Sequence, residues 1–481
     1  MRPIPIGQHE YVHGSTLAAI GWQEVDLSQT AQGAGRGSRW WPLGLFALAL
    51  TLRVAWVLLV DRNGLAYNDT SFYHQTASQL ADGDGYQWFG EPTSRWPPVY
   101  PGLLSLVYRL FGAEPLAGEL LNAVLSAVAV PLLYLCALRM YGRREAIVAG
   151  ALLAVFPGQV FLTDVLLAET LYTTLLVAVL ALCLALPRER WWVSAAVGLT
   201  IGVAAETRAE GLFLLILPLA AWWRPSWRQV ALLCAGAAVV VGAWTARNAV
   251  EMDAFVPIST NGSQTLWSGH NPSAYGGPTY AVGDFAAAPR DGLSPRRKEI
   301  VDARELRADA LDWMVSHPVD EALLVPRKLG WLLRGDSTAL FQWVQPGARG
   351  EPPALSNNEA VPLGNLADLF FYGLLALTLL ATVVAWRSRP LSPPERALWI
   401  LLGASLVLYA FVLYGNYRYR MPLEPAMILL AVPLLVRSIL RPQWTSAHSP
   451  SARSPTTQRP SRACRRRRPS SRAGWSPTTS R

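Results

Sequence analysis

Long apolar stretches are the feature of this sequence that most restricts its fold. Residues 40–60, 116–138 and 166–186 each reach the roughly 20 residues needed to cross about 30 Å of hydrocarbon. In lipid the backbone polar groups of such a stretch have no water to bind, so they must bond within a helix. Only 16% of the 481 residues are charged, which is too few for a water-soluble surface of this size. The sequence therefore predicts an all-α polytopic membrane protein.

The apolar stretches divide the chain into three parts. We expect a polar segment at 1–39, a membrane-embedded body at 40–440, and a tail at 441–481 that is basic and disordered because its composition cannot support a core. Several predicted spans are short for a full crossing, so tilted or broken helices are expected among them. The ten spans of the body are predicted at about 40–60, 117–138, 146–163, 166–186, 191–205, 211–223, 229–246, 366–386, 397–413 and 421–440.

The distribution of arginine predicts the orientation of these spans. Arginines cluster in alternate connections, and the positive-inside rule places those connections, together with both termini, in the cytoplasm. Two long connections, at about 61–116 and 247–365, are then external to a plasma (inner) membrane, and helical spacing is present within them at about 70–80, 100–111 and 296–317. The clusters are Arg36 and Arg39; Arg139, Arg143 and Arg144; Arg188 and Arg190; Arg224 and Arg228; Arg387, Arg389 and Arg396; and the tail.

The first long connection carries a candidate catalytic acid. Asp69 closely follows the first span, so its carboxylate is expected at the membrane surface. A carboxylate there can act as a general base that takes the proton of an acceptor hydroxyl or amine. The alternative is a solvated aspartate, or a cap of the helix that begins near Thr70. Judged from spacing alone, this alternative is the commoner situation.

A second group of candidates lies at the external ends of later spans. Glu169 begins an apolar span, where an acid is costly in lipid unless it faces a polar cavity or a cation. It is interpreted either as a substrate or metal contact, or as an interfacial acid paired with Arg208. Glu206, Arg208 and Glu210 alternate around one helix end and could form simple pairs, and Arg208 is the preferred candidate for direct substrate contact.

Two arginines depart from the positive-inside pattern. Arg418 and Arg420 lie at the external mouth of the last span, and guanidinium groups bind phosphate oxygens bidentately while staying charged. They are therefore candidate ligands for the phosphate of a lipid-linked leaving group. The alternative is that they reach lipid headgroups, with Tyr417 and Tyr419 in an aromatic belt. Arg53, inside the first span, is expected either to extend to the lipid headgroups in the same way or to pair with a carboxylate such as Asp69.

The order and placement of several short segments resemble one group of membrane enzymes. The segments are the connection around Asp69, Arg95-Trp96-Pro97-Pro98-Val99-Tyr100-Pro101, Ala168-Glu169-Thr170-Leu171-Tyr172, Glu206-Thr207-Arg208-Ala209-Glu210-Gly211, Gly269-His270-Asn271-Pro272 and Tyr417-Arg418-Tyr419-Arg420-Met421-Pro422. Together they resemble the GT-C superfamily of glycosyltransferases that use polyprenyl-phosphate sugars, and especially its protein O-mannosyltransferase and aminoarabinose-transferase-like branch. The resemblance extends over about residues 40–440.

The resemblance implies a GT-C-like bundle of about ten helices and an inverting sugar transfer on the external face. Asp69 matches the catalytic base of that family, although Thr70 stands where the family often has a second acid. Some relatives place the lysine of a Lys-Pro-Pro element near the donor phosphate, whereas here Trp96 precedes the prolines and Arg95 comes one residue earlier. The residues expected to bind substrate are Arg418, Arg420, Arg208, Glu169, Arg95 and Tyr100.

The implied partners are a polyprenyl-phosphate sugar donor, membrane lipids, and a glycan, lipid or protein acceptor, but no nucleic acid. No cofactor is identified, and His74, His270 and His317 show no metal-ligand spacing, so assistance by a divalent cation is left as an open alternative. The chain has no Walker loop or nucleotide-binding glycine fingerprint, which disfavours a nucleotide-sugar donor. Two other functions stay open: a transporter or flippase of an anionic sugar-lipid, and a non-catalytic assembly protein.

Overall fold

The computed structural model describes residues 40–60, 65, 68–222, 224–279, 292–344, 355–388 and 390–440. The predicted N-terminal segment and basic tail lie outside these ranges, as do parts of both long connections. Within the described ranges the chain is almost wholly helical, and the strand content is one antiparallel pair, β1 (Gln87–Trp88) and β2 (Glu91–Pro92).

The helices follow one another in the order that the apolar pattern predicts. They are α1 (Trp41–Val60), α2 (Asn68–Asp82), α3 (Val99–Phe111), α4 (Pro115–Met140), α5 (Arg143–Val155), α6 (Pro157–Phe161), α7 (Glu169–Ala185), α8 (Trp191–Ala205), α9 (Ile216–Ala221), α10 (Trp227–Glu251), α11 (Asn261–Gly269), α12 (Pro295–Ser316), α13 (Pro318–Leu332), α14 (Ser337–Ala339), α15 (Asn357–Ser388), α16 (Pro393–Val407), α17 (Tyr417–Arg420) and α18 (Glu424–Leu440). Short 3-10 or π turns lie at Leu162–Asp164, Ala209–Leu215, Leu340–Val344, Leu408–Val412 and Met421–Leu423.

The all-α membrane architecture is confirmed, whereas ten full spans are not. Six described helical segments are long and apolar enough to cross a membrane: Trp41–Val60, Pro115–Met140, Trp227–Glu251, Asn357–Arg387, Pro393–Val412 and Tyr417–Ser438. A seventh crossing is available if α5 and the segment Pro157–Asp164 count as one span bent by 50°. Pro157 explains the break, because it has no N–H to continue the helix. Three of the predicted spans correspond to shorter apolar helical segments, Glu169–Ala185, Trp191–Ala205 and Ala209–Ala221.

The break after α5 also determines the surroundings of Arg53. Arg53 is fully buried and donates to Ser126 Oγ at 2.7 Å and to the carbonyl oxygens of Leu153 and Ala154 at 3.1 and 2.8 Å. Carbonyls in the last turn of a helix lack helical partners, so the guanidinium satisfies them inside the bundle. The two expected partners of Arg53, lipid headgroups and Asp69, are not the ones observed.

The two long connections are tied together by one carboxylate. Glu299 of α12 accepts hydrogen bonds from Thr93 Oγ at 2.6 Å and from the Ser94 backbone N–H at 3.0 Å. It also accepts one from Thr260 Oγ at 2.8 Å, and the backbone N–H of Asn261 donates to the Arg95 carbonyl at 3.1 Å. The segment that precedes α3 and the start of α11 are therefore held side by side.

Candidate active site

A cavity of about 570 Å³ lies between the two long connections, the turn after α8 and the segment before α17. We call it the Asp69 cavity. Four of the residues predicted to act in catalysis or binding line it: Asp69, Arg95, Arg208 and Arg418. The other lining side chains are mostly aromatic or uncharged polar, and they include Tyr73, Trp96, Asn261, Gln264, Thr265, Ser268, Tyr275, Thr279, Trp331, Gln342, Tyr414, Asn416 and Tyr419.

Five charged side chains form one ion-pair network beside this cavity. Arg418 contacts Asp69 at 3.2 Å through Nη1 and Glu169 at 2.6 Å through Nε. Arg208 contacts the same Glu169 oxygen at 2.7 Å and Glu210 at 2.6 Å. Glu169 therefore bridges the two arginines, and we call Asp69, Glu169, Arg208, Glu210 and Arg418 the Asp69 cluster. The interfacial pairing considered for Glu169 and Arg208 is present, and it is part of a larger site.

Burial separates the roles of the acids in the Asp69 cluster. The Glu169 side chain is fully buried, whereas the Asp69 side chain is 30% exposed and faces the cavity. Burial by itself would lower the pKa of Arg208, but the nearby carboxylates of Glu169 and Glu210 raise it well above its usual value. Two guanidinium groups against three carboxylates leave the cluster one negative charge in excess when all are ionised. Asp69 is the carboxylate of this cluster best placed to meet a bound substrate.

The charged residues of the Asp69 cluster lie at or next to the ends of helices. Asp69 lies in the first turn of α2 and Glu169 in the first turn of α7, where the helix dipole favours a negative charge. Asn416 caps α17 by accepting a hydrogen bond from the Arg418 backbone N–H at 3.1 Å. That cap fixes the start of the short helix that carries Arg418.

Aromatic residues build the wall next to Asp69. Tyr73, one helical turn after Asp69, makes edge contacts with Tyr100 and Trp96 at ring-centre distances of 5.1 and 6.3 Å. The Arg95 guanidinium lies 4.5 Å from the centre of the Trp96 ring. Tyr100 is fully buried, donates to Asn122 Oδ1 at 3.1 Å, and does not line the cavity. Its observed place is behind Tyr73, in contrast to the expected substrate contact.

Arg420 is placed away from the Asp69 cavity. Its guanidinium is buried and ion-paired with Asp336 and with Glu424, one helical turn later in the sequence. It also donates to the Leu332 carbonyl at 3.3 Å, and it lies over the ring of Phe371 at 3.4 Å. The structure thus separates Arg418 and Arg420, which the sequence treated as a pair.

Glu206 is buried but does not belong to the Asp69 cluster. It is 1% exposed, and neither oxygen of its carboxyl has a hydrogen-bond partner in the described part of the chain. This burial raises the pKa of Glu206 to about 9. Because Glu206 is next to the lining residue Thr207, an uncharged carboxylic acid stands close to the cavity at neutral pH.

The histidines considered as ligands each have a different partner. His74 Nδ1 is 2.8 Å from the Tyr108 hydroxyl, and the His317 ring stacks on Trp313 at 3.7 Å. His270 lies 2.7 Å from Glu321 and 3.3 Å from Lys328 Nζ. Among the described residues no three His, Cys, Asp or Glu side chains converge in a way that could hold a metal ion, and we assign no metal site.

One wall of the cavity was not anticipated from the sequence. Asn261, Gln264, Thr265 and Ser268 of α11 all line it. Their spacing of three or four residues is a signal that could have been noticed, since such residues share a helix face. The segment did not stand out because uncharged polar residues in a connection normally face water.

A sequence profile of the family described as dolichyl-phosphate-mannose-protein mannosyltransferase matches residues 95–245. This range includes Arg95, Glu169 and Arg208 of the cavity region and ends before α11. No curated protein matches the sequence significantly.

Solved structures with a similar chain path come from two kinds of membrane enzyme. ArnT from Cupriavidus metallidurans in the apo state is 17% identical over 83% of this chain and 60% of its own, with a TM-score of 0.48. The apo Archaeoglobus fulgidus oligosaccharyltransferase is 16% identical over 85% of this chain and 52% of its own, with a TM-score of 0.49. ArnT bound to undecaprenyl phosphate gives 17% identity over 83% and 78% of the two chains and a TM-score of 0.41.

This chain thus spans about 60% of the length of apo ArnT and about half that of the oligosaccharyltransferase. The profile match covers the segment from Arg95 through most of α10, which carries three members of the Asp69 cluster, Glu169, Arg208 and Glu210. Over residues 95–245 it confirms the resemblance predicted from the sequence, because this segment is similar to the dolichyl-phosphate-mannose-protein mannosyltransferase family.

Proposed function

We propose that this protein is a membrane glycosyltransferase that moves a sugar from a polyprenyl phosphate to an acceptor at the external membrane surface. The observation that carries the proposal is the part-exposed Asp69 carboxylate, which lines a cavity and is held there by Arg418. The family profile over residues 95–245 supports the same chemistry. A carboxylate in this position can accept a proton, and arginines beside it can bind phosphate.

The arginine distribution supports an external position for the Asp69 cavity. Helix α4 follows the connection that contains Asp69, and its last turn carries Arg139, close to Arg143 and Arg144. Its 26 residues give a length of about 39 Å, enough to cross a membrane. The basic end therefore belongs on the cytoplasmic side and the Asp69 end on the external side of a plasma (inner) membrane. The same rule puts both termini in the cytoplasm.

We assign the donor phosphate to Arg418, with Arg95 and Arg208 as the other cationic side chains of the cavity. The lining contains these three arginines and two carboxylates, Asp69 and Glu210, and the buried Glu169 balances the charge of the group as a whole. The guanidinium groups that line the cavity can bind the phosphate directly. A sugar phosphodiester carries one negative charge, and its phosphate gains charge as the sugar departs. Guanidinium groups therefore stabilise the transition state more than the bound donor, which is the condition for catalysis. Arg420 takes a structural role in this assignment.

Asp69 is the general base in the proposed reaction. Its carboxylate takes the proton from the acceptor hydroxyl or amine while the acceptor atom bonds to the anomeric carbon. The bond from that carbon to the phosphate oxygen breaks on the opposite side, and polyprenyl phosphate leaves with the electron pair. A single displacement of this kind inverts the anomeric centre. A phosphate bound at Arg418 competes for the guanidinium that pairs with Asp69, which frees a carboxylate oxygen for the acceptor.

The test is transfer by the purified, full-length protein in liposomes. The donor is polyprenyl-phosphoryl mannose labelled in the sugar, offered with lipid, glycan and peptide acceptors in separate reactions. We expect the labelled sugar to be transferred to one class of acceptor, and polyprenyl phosphate to be released. Movement of intact labelled donor across the vesicle without transfer would instead establish the flippase alternative. If the donor binds but is neither transferred nor moved across the vesicle membrane, the remaining alternative is the non-catalytic assembly role.

A further inference from the structure

We infer that His270 is a positioning residue for Arg418, and that it acts through a buried junction that opens when it takes up an additional proton. The inference rests on the proposed function and adds the regulation of the same site by pH. The observation behind it is a cluster of three side chains that do not line the Asp69 cavity, His270, Glu321 and Lys328. We call these three residues the His270 junction.

The His270 junction lies where three segments of the chain meet. His270 follows α11, Glu321 and Lys328 belong to α13, and Val412 ends the turn after α16. His270 Nδ1 is 2.7 Å from Glu321 Oε2, while Nε2 is 3.0 Å from the Val412 carbonyl oxygen. Lys328 Nζ is 3.3 Å from the same Nε2. The side chains of His270 and Lys328 are at most 1% exposed, so these two bases are shielded from water.

Backbone contacts connect the His270 junction with Arg418. A Cβ at Gly415 would overlap the Lys328 carbonyl oxygen, and the Gly415 N–H donates to the Gly276 carbonyl at 2.9 Å. The next residue, Asn416, caps α17 and accepts a hydrogen bond from the Arg418 backbone N–H. A movement of α13 against this segment therefore changes the position of Arg418.

The partners of the two ring nitrogens determine where the protons of the junction lie. His270 Nδ1 faces a carboxylate, so it carries a proton. Nε2 faces the Val412 carbonyl, which can only accept, and the amine of Lys328, which can donate or accept. One further proton is shared by these two bases: either Nε2 donates to Val412, or the ammonium group donates to Nε2. In both cases one positive charge is balanced by Glu321.

An additional proton places two cations 3.3 Å apart beside one carboxylate. Burial and the charge of Lys328 lower the pKa of His270 despite the opposite effect of Glu321, and burial lowers the pKa of Lys328 to about 8. The closed junction therefore resists this proton, whereas an opened junction exposed to water would bind it near the usual histidine pKa of about 6.5. Acid consequently shifts the equilibrium from the closed to the open form.

Other titratable groups beside the junction do not change charge at neutral or acid pH. Tyr275 and Tyr414 adjoin the glycines of the backbone contact, and burial raises the pKa of both above the usual value of a tyrosine. Arg327 packs against Gly276, but its side chain is exposed and stays charged. The acid response is therefore assigned to His270 and its two charged partners.

The first test follows phosphate binding as a function of pH. The probe is farnesyl methyl phosphate, a phosphodiester whose single negative charge is the same at pH 5 and pH 7.5. Its Kd for the full-length protein in nanodiscs is measured by calorimetry. For the wild type we expect the Kd to rise about tenfold from pH 7.5 to pH 5. Equal Kd values at the two pH values would overturn the inference.

The second test removes one cation of the junction. Lys328→Met keeps the apolar stem and leaves the protonated His270 with Glu321 alone, so we expect its Kd to be equal at both pH values. The matched control is Lys298→Met on α12, which removes a pair with Asp302 and should keep the acid effect of the wild type. An acid effect of wild-type size in Lys328→Met, or equal weakening by this variant at both pH values with the acid effect retained, would contradict the inference.

Variants of His270 separate its position from its protonation. His270→Gln places an amide N–H near the Val412 carbonyl and does not titrate, whereas His270→Ala removes the contact. At pH 7.5 we expect the glutamine variant to bind the probe within about threefold of the wild type and the alanine variant about tenfold more weakly. Neither variant should show the acid effect. Equal binding by the two variants would exclude a positioning role for the contact.

Hydrogen exchange tests the junction without a ligand. Exchange of residues 408–420 is measured by mass spectrometry on the full-length wild type and on Lys328→Met, and the two are compared at the same pH because intrinsic exchange depends on pH. We expect faster exchange in the wild type at pH 5 and equal exchange at pH 7.5. Equal exchange at both pH values would overturn the inference. If exchange responds as expected but the phosphodiester binds to neither protein, the proposed function fails while the acid-sensitive junction is established.

Discussion

Asp69 and Arg418 lie 349 positions apart in the sequence and form a 3.2 Å ion pair on the wall of one cavity. Arg418 also holds the buried Glu169 more closely, at 2.6 Å. Of these two carboxylates, Asp69 therefore has the longer contact and the greater exposure. This asymmetry makes Glu169 the fixed partner of Arg418 and Asp69 the partner that substrate can replace.

Replacing Asp69 by asparagine should remove catalysis and leave donor binding intact. The amide has nearly the same shape but cannot accept the acceptor proton, so we expect the transfer rate to fall by about 10³-fold. The matched control is Asp82→Asn, at the exposed end of the same helix, α2, which should transfer at the wild-type rate. The measurement is initial-rate transfer together with donor binding. Full activity of Asp69→Asn would exclude it as the base.

Replacing Arg418 by lysine should weaken the binding of polyprenyl phosphate. Lysine keeps the charge but loses the planar fork that contacts Asp69 and Glu169 together and that can bind a phosphate bidentately. We expect the Kd for farnesyl phosphate to rise about tenfold, measured by calorimetry in nanodiscs.

The companion variant is Arg420→Lys, which alters the buried pairs with Asp336 and Glu424. It should lower the thermal stability of the protein and leave the phosphate Kd of the folded fraction unchanged. A larger loss of phosphate affinity in Arg420→Lys than in Arg418→Lys would reverse the assignment made here.

Replacing Glu169 by glutamine should destabilise the folded protein. The change leaves Arg208 and Arg418 without the carboxylate that bridges them, and removing one partner of a buried ion pair costs about 3–5 kcal/mol. We expect a lower midpoint of thermal unfolding, measured on protein in nanodiscs. The double variant Glu169→Gln with Arg208→Gln should recover part of the loss, since it removes one uncompensated charge. An additive double variant would show that the two side chains are not coupled.

Replacing Glu206 by glutamine should stabilise the protein at alkaline pH. A glutamate in an unfolded chain ionises near pH 4.3, whereas burial raises the pKa of Glu206 in the folded state to about 9. Between these values the folded state holds a proton that the unfolded state has lost, so the Glu206 contribution to stability falls as the pH rises. We therefore expect the midpoint of thermal unfolding of the variant to lie a few degrees above that of the wild type at pH 8. Near pH 4 the two midpoints should be equal. A difference between the two proteins that does not change with pH would contradict this account.

Much of the fold could be predicted because its cause is local. A run of apolar residues must form its hydrogen bonds within itself, so the start and end of α8 were predicted to the residue, at 191–205. The helices α2, α3 and α12 were likewise predicted within two residues at each end. The count of ten full spans was not confirmed because apolar character does not specify length or tilt. Helices such as α7 reach only 17 residues, and the segment after α5 is bent by 50° at Pro157, so that two helices stand where one span was predicted.

The sequence by itself determined the membrane setting, the helical class and the short list of charged residues worth testing. Only the tertiary structure decided which of them meet: Arg418 joins the Asp69 cluster, whereas Arg420, two residues later, is buried with Asp336 and Glu424. The physical reason is that helix formation follows from neighbouring residues. An ion pair such as that of Asp69 with Arg418 depends instead on where segments hundreds of residues apart come together. The one-turn helix α17 points two arginines that are two residues apart into different surroundings.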